Sequence, residues 1–132
     1  MALSKDTPRA YELGDINELP MTASATIYEG SAVGISSGYA SALADGYRFA
    51  GFALEKAVES SGVAGAKTVK VIEKGKMQVT LASVAVTDVG SKVYMSDDGT
   101  FTLTASPGEL VGRVVRYVTT DTCVIEFYPT AA

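Results

Sequence analysis

The sequence predicts an all-β protein: a small β-barrel or β-sandwich-like body, allowing for one minor helix, with an extended N-terminal arm. Short runs of strand-forming residues fill positions 26–128, and small turn pairs separate them. The chain has no histidine, and its 13 glycines are enough to supply many tight turns. We therefore divide it into an arm, residues 1–25, and a β-rich domain, residues 26–132.

The composition is that of a single globular domain. The chain has 132 residues, 47% of them hydrophobic and 20% charged, and this length can bury a core without disulfides or metals. Its net charge is −4, whereas proteins that bind nucleic acid or anionic lipid typically carry clusters of positive charge. No segment approaches the roughly 20 apolar residues that cross a bilayer, and no apolar signal segment follows the N-terminus. We expect synthesis in a cytoplasm, with neither nucleic acid nor membrane as partner.

The first 25 residues differ from the rest in their sequence pattern. They contain Pro8 and Pro20 and show no sustained helical or strand period, which predicts an extended arm that becomes ordered when it lies on a surface. A frayed terminus is the simpler interpretation, but five sizeable apolar side chains are more than a solvated tail usually carries. These five candidate contact residues are Tyr11, Leu13, Ile16, Leu19 and Met21.

The body begins near Ala25 with three short strands. They are predicted at residues 26–28, at 32–35 and, after the Ser37-Gly38 turn, at 38–42, where the pattern is weaker.

Residues 47–58 form the next candidate strand. Both of its faces are apolar, which predicts a strand buried on both sides, with Phe49 and Phe52 on opposite faces by strict alternation. Charged residues follow and predict either a solvated surface or an inter-subunit contact. They are Glu55, Lys56 and Glu59.

Residues 67–73 and 76–81 have the strongest strand patterns in the chain. The first run is rich in β-branched residues, and the second alternates strictly between apolar and polar side chains. Because only Lys74-Gly75 separates them, the spacing predicts a hairpin, although Lys-Gly is a weaker turn signal than Asn-Gly.

Two further hairpins are predicted in the last third of the chain. Residues 92–95 and 100–103 flank the turn signal Asp98-Gly99, and residues 110–117 precede a second run at 122–128. Between the two strongest hairpin patterns, residues 82–89 fit either a strand or a short helix.

Three features resemble reactive or binding sites, and each has a simpler structural explanation. Residues 62–68 resemble a phosphate-binding loop, but no glycine directly precedes the lysine and a β-prone run follows where a helix is needed. Asp97 and Asp98 lie in a turn and lack the ligand series of a calcium loop. Cys123 has no histidine to act as its base, so we predict that it is a buried thiol within a strand. We predict no enzyme, no catalytic residue, no cofactor and no metal.

Five segments of the body resemble one known family. They are residues 29–35 (EGSAVGI), 51–57 (GFALEKA), 67–79 (KTVKVIEKGKMQV), 89–103 (VGSKVYMSDDGTFTL) and 110–115 (LVGRVV). The best single marker is the order Gly-x-x-Val-Tyr-x-x-x-x-Gly-x-(Phe/Leu)-Thr at residues 90–102. In these segments the chain resembles the capsid decoration, or cement, proteins of tailed double-stranded DNA bacteriophages, which are often mislabelled as phage recombinases. The resemblance covers residues 26–128.

The resemblance implies a structural virion protein that binds the outer surface of the capsid and stabilises the expanded head against the internal pressure of packaged DNA. It also implies the major capsid protein as partner, a homotrimer at three-fold or quasi-three-fold positions, and synthesis in the host cytoplasm. The alternative is a virion-surface β-module that binds a host glycan or another receptor through surface tyrosines. A nucleotide-dependent recombination protein is a third interpretation, which rests only on the loop at residues 62–68.

Overall fold

The computed structural model describes residues 14–129, together with residues 2, 4–6 and 8. Within these residues the fold is all-β, as predicted, and the single helical element is a 3₁₀ turn at Val86–Asp88. No helix in the same residues is long and apolar enough to cross a bilayer. The strands are β1 (Ile16–Pro20), β2 (Thr26–Ile27), β3 (Ala32–Ser36), β4 (Tyr39–Ala42), β5 (Arg48–Ala53), β6 (Ala57–Val58), β7 (Thr68–Ile72), β8 (Gly75–Thr80), β9 (Lys92–Met95), β10 (Glu109–Thr119) and β11 (Thr122–Phe127).

The strands form three antiparallel sheets. A five-stranded sheet has the order β1-β7-β5-β3-β4, a four-stranded sheet has the order β8-β11-β10-β9, and β2 pairs with β6 in a two-stranded sheet. Two turns join the large sheets at one end, because the Gly46 N–H donates to Glu109 Oε1 at 3.0 Å and the Gly108 N–H donates to Asp45 Oδ1 at 3.1 Å.

Each face of the five-stranded sheet covers a hydrophobic core. The first core lies between the five-stranded and four-stranded sheets, and Phe52 packs edge-on against Phe127 across it, with ring centroids 4.8 Å apart. The second core lies on the opposite face, where Ile27 and Ala57 of the two-stranded sheet close over Val33 and Val71. This layered arrangement is the sandwich-like body that the sequence predicts.

The small barrel that the sequence predicts as the alternative to a sandwich is not closed in the described residues. The five-stranded sheet curls until the residue after β1 reaches β4, and Met21 forms a parallel bridge with Ala40. The Thr22 N–H donates to the Ala40 carbonyl at 2.9 Å, but no continuous ladder joins β1 to β4. The sheet is therefore curved and not hydrogen-bonded all the way round.

The hairpin predicted at Lys74-Gly75 is also wrong. β7 pairs with β1 and β5 in the five-stranded sheet, whereas β8 pairs with β11 in the four-stranded sheet. Lys74-Gly75 is therefore the point at which the chain passes from one sheet to the other. The turn predicted at Ser37-Gly38 is confirmed and joins β3 to β4. The hairpin between β10 and β11 is also confirmed, and the one at Asp98-Gly99 is reduced to a bridge between Tyr94 and Thr102.

A β-bulge in β5 changes the alternation that the sequence predicts. Val33 pairs with Gly51 and Gly34 pairs with Phe49, which leaves Ala50 without a partner on β3. As a result Phe49 and Phe52 both enter the first core and pack edge-to-face at 5.4 Å. The strand is buried on both sides, as predicted, but the two aromatic rings share one side.

Candidate interaction surfaces

Residues 16–20 of the predicted arm lie along the body as an edge strand, β1. β1 pairs antiparallel with β7, from Ile16 opposite Ile72 to Pro20 opposite Thr68. The Thr68 hydroxyl also donates to Glu18 Oε1 at 2.6 Å. This pairing holds the segment against the five-stranded sheet in an extended conformation, while the boundary at residue 25 stays a prediction.

The structure separates the five candidate contact residues of the arm. Ile16 is 61% exposed, whereas Leu19 packs in part against the second core and Met21 is fully buried within it. Tyr11 and Leu13 lie outside the described residues. Contact with a partner stays a prediction for this set, and among its described members Ile16 has the side chain most available for one, since that of Met21 serves the core.

The loop that resembles a phosphate-binding loop is organised by a carboxylate of the protein itself. Glu59, predicted as part of a solvated surface, is only 3% exposed. It accepts hydrogen bonds from the N–H groups of Ser61 and Gly62 at 3.0 Å each and from the Ser61 hydroxyl. The Ser24 N–H also donates to this carboxylate at 2.9 Å, and this bond, followed by those from Ser61 and Gly62, lowers the pKa of Glu59 to about 2. The loop's amides therefore already hold an anion, and strand β7 follows the loop, so the geometry is not that of a nucleotide site.

Two other candidate residues have the structural roles that the sequence predicts. Asp97 accepts from the N–H groups of Gly99 and Thr100 at 2.9 and 2.7 Å, which closes the turn and lowers its pKa. Cys123 is fully buried, and burial together with the nearby Asp88 carboxylate raises the pKa of its thiol. Among the described residues no group of three or more acidic or cysteine side chains is placed to hold a metal ion.

A cleft of about 430 Å³ opens where β8 begins. Its aromatic lining comes from Phe127 and Tyr128, and its charged lining includes the ion pair between Lys74 and Asp15, whose Nζ and Oδ1 atoms are 3.6 Å apart. The cleft lies beside the point where the chain changes sheets. It combines an apolar wall with three charged side chains, because Glu126 lines it together with Lys74 and Asp15.

A row of charged residues crosses the solvent-facing side of the four-stranded sheet, one from each strand. Lys76 pairs in register with Glu126, Glu126 with Arg113, and Arg113 with Lys92. We call these four residues the charged row. Its one carboxylate is bound by Arg113, since Glu126 Oε1 lies 3.1 Å from Nη2 and 3.2 Å from Nε.

The charged row makes this side of the sheet basic. Arg116 pairs with Val124 on the same side and adds a cation, so four cations stand with one carboxylate in a chain whose net charge is −4. Neither Lys76 nor Lys92 has an ion-pair partner among the residues that the structure describes. Sequence analysis missed this surface, because the row joins four strands whose register no local pattern reveals.

An exposed apolar patch lies at the two-stranded sheet. Tyr28 is 59% exposed and Val58 is 42% exposed, and the ammonium of Lys56 lies 5.3 Å from the centre of the Tyr28 ring. Exposed aromatic and aliphatic side chains with one nearby cation are common in protein contacts. The patch is a second surface on which a partner could rest.

Comparison with known proteins gives one match. The model of a phage family described as structural cement protein (E217 gp24/Pam3 gp6) matches residues 6–128. No curated protein and no solved structure matches the chain significantly. The matched region includes β1, part of the predicted arm and the body up to residue 128. It therefore extends further toward the N-terminus than the segments that carried the resemblance.

Proposed function

The chain belongs to the phage structural cement protein family, and from this premise we propose that it binds the outer surface of the capsid and stabilises the expanded head against the internal pressure of packaged DNA. Its family is one of structural proteins, so its role is in the virion and not in catalysis. The partner we propose is the major capsid protein, and the place of synthesis is the host cytoplasm.

The observation that carries this proposal is the family match over residues 6–128. The architecture supports it, because two large sheets share one aromatic core, and packed protein interiors have low compressibility. A protein that fastens capsid subunits together needs a rigid body and exposed contact surfaces. The body here offers an edge strand, a basic sheet face and an apolar patch for that purpose.

We further propose a homotrimer as the assembled form and residues 1–25 as an arm that reaches a neighbouring subunit. A closed trimer engages several capsid subunits at once, so contacts that are individually weak combine into strong attachment. Exposed Ile16 supports a contact role for the arm, because an apolar side chain that is 61% exposed gains when a partner covers it.

The test uses expanded, DNA-free heads made by the phage without this chain. Purified protein is added, and its binding and the temperature at which the heads rupture are measured. We expect saturable binding and a higher rupture temperature. Heads that neither bind the protein nor gain stability would contradict the proposal, and binding to a glycan array without binding to heads would favour the receptor-binding alternative.

A further inference from the structure

The backbone of β8 forms an open sheet edge. The Leu81 N–H donates to the Asp121 carbonyl at 2.9 Å, and antiparallel strands alternate in the direction of their hydrogen bonds. Odd-numbered residues of β8 therefore bond to β11, whereas Lys76, Gln78 and Thr80 direct their N–H and C=O groups away from it. No hydrogen bond from these outward groups is present in the described structure.

The other edge strand of this sheet is covered. The Tyr94 N–H of β9 donates to the Thr102 carbonyl at 2.7 Å, and the Thr102 N–H donates back at 2.9 Å. These two bonds occupy the outward backbone groups of Tyr94, within the four residues of β9.

Both edges of the five-stranded sheet are partly blocked. In β1 the Glu18 N–H is taken by its neighbour's side chain, Asn17 Oδ1, at 2.9 Å, and Pro20 has no N–H to offer. The edge strand β4 is closed by the Thr22 N–H, which donates to the Ala40 carbonyl. Among the large sheets, the described residues thus leave β8 as the edge without such protection.

The open edge lies at one end of the charged row. β8 is a strand of six residues with no proline, and Lys76 within it has an exposed ammonium without an ion-pair partner. An extended segment laid along β8 would gain backbone hydrogen bonds at every second residue. A carboxylate on that segment would meet Lys76, and the cations beyond it would favour further negative charge.

We propose that β8 accepts an extended, acidic segment of the major capsid protein as an added strand. The inference rests on the proposed function, which supplies the partner. The charge of the sheet face selects acidic over basic segments, and the open edge selects an extended backbone over a helix or a flat surface. The cleft at Gly75 and Phe127, at the beginning of β8, can hold one side chain of the added strand.

The test compares variants for binding to the same expanded heads. Gln78→Pro removes an N–H that points away from β11, so the variant keeps its ladder to β11 and loses a donor that the added strand needs. Gln78→Thr is the matched control, because it keeps the N–H. We expect Gln78→Pro to weaken binding at least about tenfold, with Gln78→Thr close to wild type.

A second pair of variants tests the charge. Lys76→Glu combined with Lys92→Glu is expected to weaken binding about tenfold and to flatten its salt dependence. Lys67→Glu, which changes an exposed lysine in the loop before β7, is the control and should bind as wild type does. If circular dichroism and melting show that Gln78→Pro does not fold, the comparison of the double charge reversal with Lys67→Glu alone tests the inference.

The outcomes separate the inference from the proposed function. Wild-type protein that fails to bind heads defeats the proposed function itself. If wild type binds and folded Gln78→Pro or the double charge reversal binds equally well, the inference is overturned while the proposed function stands. The inference is also overturned if Gln78→Pro dissociates an oligomer in analytical ultracentrifugation, because a second copy of the chain then occupies β8. Binding of duplex DNA of mixed sequence by the basic face would overturn it as well.

Discussion

The backbone N–H of Ser24 donates to the carboxylate of Glu59 at 2.9 Å, across 35 residues of sequence. The same carboxylate binds the loop after β6 through Ser61 and Gly62. Glu59 therefore fastens the turn that precedes β2 to the loop that precedes β7, and these segments flank the second core. The function of this buried charge is to hold two connections in fixed positions on the body.

Replacing Glu59 by glutamine should lower the melting temperature by several degrees. The amide keeps one acceptor oxygen but turns an NH₂ group toward backbone N–H donors that have no other partner. Differential scanning calorimetry at neutral pH measures the change. Glu55→Gln, at an exposed position four residues earlier, is the matched control, and equal effects of the two variants would contradict the role assigned to Glu59.

The stability of the wild-type protein should fall as the pH drops from about 4.5 toward 2. The pKa of Glu59 is lowered from its ordinary 4.5 to about 2 in the folded chain, so the ionised group stabilises the fold above 4.5 and loses this effect as it protonates. Melting temperatures across this range should decline less steeply for Glu59→Gln than for wild type. Asp97→Asn serves as comparison, since the pKa of Asp97 is lowered as well.

Gly51→Ala should destabilise the body by about 3 kcal/mol or more. A Cβ atom at this position would lie 2.3 Å from the carbonyl oxygen of Ile72, and the backbone has φ +132°, which favours glycine. Urea denaturation measures the free energy of unfolding. Gly62→Ala is the control, because its φ is +77° but no atom lies within 4 Å, and we expect a cost of only about 1 kcal/mol there. A similar loss of unfolding free energy at both positions would show that the close approach of β5 and β7 does not add to the cost of Gly51→Ala.

Ile16 and Met21 should respond differently to substitution although both belong to the predicted arm. Met21→Ala removes a fully buried side chain and should cost about 2–5 kcal/mol of unfolding free energy. Ile16→Ser changes an exposed position and should stay within about 0.5 kcal/mol, while it weakens binding to heads several-fold. Head binding by Ile16→Ser at the wild-type level would remove this residue from the proposed contact set.

The sequence predicted the strands well where side-chain alternation and turn residues act locally. Cys123, Ile125 and Phe127 alternate along β11 and all enter the first core, because one face of that strand is buried. The Ser37-Gly38 turn joins β3 to β4 with both residues at positive φ, 52° and 86°, as a two-residue hairpin requires. Such features depend on neighbours a few residues apart.

The features that sequence analysis missed depend on contacts between distant segments. The sequence of a short link such as Lys74-Gly75 fits a hairpin turn and a crossover between two sheets equally well. The pairing of β7 with β1 and β5, and of β8 with β11, shows that it is a crossover. Glu59 reads as a surface charge until Ser24 is placed beside it. The charged row is likewise invisible in sequence, since its members come from four strands whose register is set by packing.

The most direct measurement of the central claim is the copy number of this chain on purified, mature virions. Quantitative mass spectrometry of the particles, with the major capsid protein as internal reference, gives that number. We expect the chain in an amount comparable with the shell protein, as a structural cement protein requires. Its absence from mature particles, or its presence in only a few copies per head, would contradict the account.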